Sequence, residues 1–181
     1  LMGYGRDRNL LPVQVSHEYN PRMTRRLALA LVPALLLTAC ESREVEKDLK
    51  IVNVHTGWYD AGIVGGGQNK LVPSVSLELQ NVSDRAISSV QVQAVFHRVG
   101  EQEAWGAHFV RAIDTSGLDA GSTTKPIVLR SSLGYTGSES RLNMLQNSQF
   151  VDANVDIFGK HGSRTWVKMG EYQIDRQLLT E

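Results

Sequence analysis

The sequence predicts an all-β fold, an antiparallel β-sandwich of about seven strands with one short crossing helix. Two observations carry this. From Ile51 onward, apolar and polar residues alternate with a period of two in short segments, and Asn-, Asp- and Gly-containing clusters at 81–85 and 119–121 punctuate them. Only in residues 131–148 does the alternation lapse. There Thr136-Gly137-Ser138-Glu139 reads as a capping box, with Leu142 and Leu145 following at helical spacing.

The segment ahead of the strands is of another kind. Residues 1–22 show no periodicity and read as lying upstream of the true start, because Met23 opens a complete export signal. Arg25 and Arg26 are its positive flank, and the apolar run 27–37 is too short to span a bilayer core of ~30 Å. Small Thr38 and Ala39 then precede the only cysteine of the chain, Cys40, which has no intramolecular disulfide partner. Leu37-Thr38-Ala39-Cys40 resembles the lipobox of bacterial lipoproteins. The resemblance implies that the helical signal segment 23–39 is removed, that Cys40 is acylated and becomes the first residue, and that several acyl chains hold the protein to a membrane. By the same resemblance, Glu41 where an Asp would retain the protein in the inner membrane points to the outer membrane, facing the periplasm.

From Cys40 onward about 142 residues remain, enough for one domain. They carry 14 Lys and Arg against 17 Asp and Glu, near neutrality at about −3, with no basic stripe for nucleic acid. Residues 40–50, nearly all polar, read as a tether, and 51–181 as the sandwich.

The strands follow in order. In the first, Val52, Val54 and Thr56 take one phase, and Ile51, Asn53 and His55 the other. Trp58-Tyr59 closes it, and adjacent aromatics at a strand end cannot both enter one core. Gly65-Gly66-Gly67-Gln68-Asn69-Lys70 lacks the Ser or Thr and the following helix of a phosphate loop, and reads as a hairpin connection. The second strand points Val75, Leu77 and Leu79 inward, the third Val90, Val92, Ala94 and Phe96. The fourth, 105–113, places Trp105, Ala107, Phe109 and Ile113 on one face. Pro126 assigns the fifth, 124–130, to an edge or a strand start. The sixth points Val151, Ala153, Val155 and Ile157 inward. The seventh runs 165–169 and continues through 172–176 past a bulge at Gly170.

Leu77-Glu78-Leu79-Gln80-Asn81-Val82-Ser83 followed by the Val90 strand resembles small Ig-like envelope domains of the FxLYD or late-embryogenesis-abundant type 2 kind. The likeness covers about residues 51–130 and implies an Ig-like sandwich, with Val95-Phe96-His97-Arg98 standing where the family's aromatic-Leu-Tyr-Asp signature would be.

Chemistry-bearing patterns are sparse. His55, His97 and His108 take the solvent phase of their strands, and with His161 none has metal-ligand spacing. Asp152, Asn154 and Asp156 share a strand face that either gathers a cation or is simply wet. No Gly-x-Ser-x-Gly nucleophile elbow occurs. The expectation is a lipid-anchored envelope protein, non-enzymatic and without metal or cofactor, presenting its sandwich to an envelope protein partner. The alternative is a ligand-carrying or accessory subunit of an envelope transport or assembly complex, for which Phe96, Phe109 and Trp166 would line a cavity. Candidate binding residues are Tyr135, in a loop of small residues, and Trp58 with Tyr59. Tyr135 either meets a partner or folds back to seal the sandwich.

Overall fold

The computed structural model describes residues 44–179. Cys40, the signal segment and residues 1–22 lie outside the described residues, and the described residues belong to one compact unit. A short helix α1 (Val45–Asp48) leads into β1 (Leu49–Val64), a Gly65–Gly67 turn and β2 (Gln68–Asn81). Then come β3 (Val90–Arg98), β4 (Ala104–Ile113), β5 (Ile127–Arg130), β6 (Tyr135–Gly137), helix α2 (Arg141–Gln146), β7 (Ala153–His161), β8 (Val167–Gln173) and β9 (Leu178–Leu179). Two sheets face each other. One has the order β5-β2-β1-β9 with β6 also paired to β2, and the other the order β4-β3-β7-β8.

The β-sandwich is therefore as the periodicity predicts, with nine strands among the described residues where about seven were expected. The added pairs are β6 against β2 and β9 against β1. The latter is the one parallel strand pairing among the described residues, Trp58 opposite Leu178 and Tyr59 opposite Leu179. Val75, Leu77, Leu79, Val90, Val92, Phe96, Val155 and Ile157 are all fully buried in the shared core. Pro126 ends just before β5, an edge strand, as its missing N–H requires.

Several expectations are corrected, and in β1 and β4 a local device breaks the simple periodicity. In β1 an extra residue opposite β2 between Val52 and His55, with Asn53 at φ 51°, flips the inward phase. Leu49 and Ile51 point inward before it, Val54, Thr56 and Trp58 after it. Val52 therefore does not share the core phase of Val54. In β4, register shifts opposite Phe96/His97 and Val90/Gln91 do the same at both ends. Trp105 and Ile113 turn inward as expected, but between the shifts Ala107 and Phe109 face out, Phe109 being 65% exposed. His108 thus takes the core phase at the sheet edge, its Nδ1 3.0 Å from the Arg130 carbonyl oxygen across the seam.

The tether is shorter than 40–50, because Val45 and Leu49 are each 3% exposed and belong to the core. Helix α2 starts later than the capping box suggests: Thr136 lies in β6, and Ser140 is the N-cap, its Oγ accepting from the Asn143 N–H at 3.3 Å. Val151 is exposed, just ahead of β7. In β8 the shift opposite Ile157/Phe158 leaves Met169 as the extra residue, beside Gly170, where a bulge was expected.

Asn81 holds the loop that joins the sheets next to α1. It is fully buried, and its Nδ2 donates to the carbonyls of Arg85 and Leu118, both at 2.9 Å. Its Oδ1 accepts from the Ser83 N–H and hydroxyl at 3.0 and 2.7 Å. Every hydrogen-bonding position of the amide is used, which is how a polar side chain tolerates full burial.

Candidate functional site

Four aromatic rings gather at the end of the sandwich away from α1. Trp58 of β1 is fully buried, and its ring centroid lies 6.2 Å from Trp105, 5.7 Å from Tyr135 and 4.6 Å from Phe150, the last edge-on at 71°. Tyr135 is 4.9 Å from Trp105 and 4.7 Å from Phe150. Tilted and edge-on arrangements at such separations are the favoured ones for aromatic pairs.

Glycines let the strands close in. At Gly134 a Cβ would stand 2.0 Å from the Leu71 carbonyl oxygen, so only glycine lets the chain approach β2 and pair β6 with it. At Gly106 a Cβ would meet the Ser131 hydroxyl at 2.2 Å, and that hydroxyl accepts the Leu133 N–H at 3.1 Å. Tyr135 is thereby drawn over the core. Its hydroxyl donates to the Val151 carbonyl at 3.3 Å, and burial pushes the phenol pKa up, with the Arg98 guanidinium acting against that shift.

Beside the cluster runs a groove of about 310 Å³. β6 and the two residues after it form one wall; Asn147, Gln149 and Phe150 form the other, with Met144 between them. Arg176 fixes the far wall. Its guanidinium lies 2.5 Å from the Asp152 carboxylate, donates to the Phe150 carbonyl at 2.8 Å and reaches the Leu145 carbonyl at 3.4 Å. Asp60 fixes the near end of α2 by pairing with Arg141 and accepting the Gly62 N–H at 2.9 Å, and the Arg141 hydrogen bond holds its carboxyl below the usual carboxylate range.

Against this geometry the sequence-derived candidates separate. Tyr135 is both: it seals the core with one side and lines the groove with another. Trp58 shares its cluster but offers no surface, so its candidacy for direct binding is withdrawn. Tyr59 points to the opposite face of the same sheet, half-buried, with the Arg130 guanidinium 3.4 Å from its ring centroid, a cation–π contact that covers that ring face. Phe150, Arg176 and the place of Trp105 in this aromatic cluster were not read from the sequence. An aromatic just ahead of the sixth strand was the available signal for Phe150. Nothing local announces the bulge at Trp105 or the reach of Arg176.

The other candidates resolve without converging. Phe96 is fully buried inside its sheet and Phe109 lies on that sheet's outer side, so with Trp166, which packs under the Lys160 ammonium at 4.9 Å, they do not line one cavity. On the outer face of β7, Asp156 is 2.9 Å from the Lys168 ammonium and 3.7 Å from His97, and Asp152 pairs with Arg176. Side-chain cations thus answer both carboxylates. Among the described residues no cluster of three His, Cys, Asp or Glu could hold a metal ion, and no helix is long and apolar enough to cross a membrane.

No protein-family model and no curated protein matches the chain. The solved structure of Northeast Structural Genomics Consortium target SoR45 aligns over 72% of this chain and 89% of that one, at 7% identity and a TM-score of 0.39.

Proposed function

We propose that the chain is a lipid-anchored envelope protein, held by acyl chains on Cys40 at the periplasmic face of the outer membrane, whose sandwich serves a protein partner and catalyses no reaction. The observation that carries this is the Leu37-Thr38-Ala39-Cys40 box, which is separated by only three residues from Glu44, where the described residues begin. A filled β-sandwich supports a role in presentation, and the groove between β6 and α2 is the surface we assign to the partner. It is concave, has Met144 and Phe150 as apolar anchors, and is rimmed by polar Glu139, Asn147 and Gln149.

A Cys40→Ser form is expected to lose palmitate labelling and to leave the membrane fraction; labelling that persists would sink the anchor. For the groove, Glu139→Lys combined with Gln149→Lys should reduce recovery of the crosslinked partner from detergent-solubilised envelope by about tenfold, with an unchanged melting temperature. Undiminished recovery would move the partner surface elsewhere.

A further inference from the structure

The end of the sandwich where α1 docks is also where the β7–β8 hairpin turns. A Cβ at Gly159 would lie 2.8 Å from Val45 Cγ1, so α1 packs against the last turn-ward residues of β7, and Gly159 pairs with Val167 of β8. The tip itself is held to the domain by the Gly162 N–H, which donates to the Ser89 carbonyl at 2.8 Å. On this hairpin sit Lys160, the exposed Arg164 and the part-exposed Trp166, whose ring lies 4.9 Å from the Lys160 ammonium.

We propose that this hairpin rests on the headgroups of the bilayer that holds Cys40, an inference that rests on the lipid-anchor reading above. Four residue steps separate Cys40 from Glu44, so a fully extended link reaches about 14 Å and keeps the α1 end close to the lipid. Charge selects which corner of that end makes contact. The loops joining the two sheets there carry Asp84, Asp114 and Asp119 against Arg85 and Lys125, and α1 carries Glu46 and Asp48 against Lys47, so neither is net cationic. The hairpin is the cationic element, matched to anionic lipid phosphates, and it carries an indole of the kind that settles at the membrane interface. The Tyr135 groove then faces away from the bilayer. It lies beside Leu71 of β2, and α1 lies near Asn81 of the same strand, ten residues or roughly 33 Å further on.

The test uses the mature lipidated protein, purified from membranes and reconstituted into vesicles of phosphatidylglycerol and phosphatidylcholine brominated high on its acyl chains. Trp58 is buried and Trp105 belongs to the distant aromatic cluster, so quenching reports on Trp166. The expected result is about a twofold fall in the emission Trp166 contributes, absent in Trp166→Phe and weakened in Lys160→Glu/Arg164→Glu or in vesicles without phosphatidylglycerol. Lys160→Glu/Arg164→Glu tests the contact at surface positions even if Trp166→Phe disturbs folding. Wild-type protein that floats with the vesicles but is quenched no more than Trp166→Phe overturns this proposal alone. Wild-type protein that does not float overturns the anchor, and this contact with it.

Discussion

At the scale of single residues, Tyr135 shows how far side-chain type alone can be read. A tyrosine among Leu133, Gly134, Thr136 and Gly137 is an amphipathic ring that its small neighbours cannot bury, which is visible in the sequence. What buries it comes from Trp58, Trp105 and Phe150, at separations of 77, 30 and 15 residues, and no local pattern encodes those contacts. The pair Trp58-Tyr59 was legible as one core and one rim residue; which was which depended on the Asn53 bulge, since without it Trp58 would take the other face. Because Tyr135 is part-buried, Tyr135→Ala should cost about 2–3 kcal/mol, below the range for a fully buried aromatic. Tyr135→Phe keeps the ring and loses the hydroxyl, with its 3.3 Å bond to Val151 and its contact with Arg98, so it should cost about 1 kcal/mol. Denaturant midpoints for the two variants check this, and equal losses would show that the hydroxyl, not the ring, holds this end shut.

At the scale of elements, strands and turns were largely legible and boundaries were not, for identifiable reasons. A period of two survives only as long as pairing stays in register, and β1 and β4 each break register twice and β8 once. The two-residue β9 and three-residue β6 are too short to show a period at all, and both exist because a longer strand offers its edge. For α2 a capping-box pattern lay four residues too early, and the pairing of β6 with β2 claimed Thr136 first.

A helix of six residues is not stable alone, so α2 depends on its tertiary ties, among them Asp60–Arg141. The Asp60 carboxyl is lowered from 3.8, first by its hydrogen bond to Arg141. Its stabilisation is therefore complete above about pH 4, where the unfolded carboxyl also ionises, and is lost as pH falls through the lower folded value. Both side chains are about one-third exposed, so water screens the pair and the effect should stay within about 1 kcal/mol. Asp60→Asn should be less stable than wild type at pH 6 and indistinguishable from it near pH 2. Parallel acid curves for the two proteins would assign the lowered pKa no part in stability.

At the scale of the whole molecule, the inward phases read from sequence for β2, β3 and β7 proved to be one core shared by both sheets, and the strand order did not follow from them. Alternation says which side of a strand is apolar; it does not say that β7 lies beside β3 or that the chain's end returns to β1. Those pairings are settled by loop lengths and by contacts such as the Asn81 hub, which ties the β2–β3 loop to Leu118. Phe96 tests the shared core directly. It is fully buried on β3 between Gly106 of β4 and Val155 of β7, and Gly106 offers no side chain to fill a void there. Phe96→Ala should cost roughly 3–5 kcal/mol, whereas Gln93→Ala, on the outer phase of the same strand, should stay within about ±0.5 kcal/mol. If the sheets fold as one unit, the Phe96→Ala midpoint should fall equally whether followed by backbone circular dichroism or by the fluorescence of the Trp58–Trp105 cluster, which draws one indole from each sheet. Probes that separate would mean that the two sheets come apart independently, and comparable losses for Phe96→Ala and Gln93→Ala would contradict the register of β3.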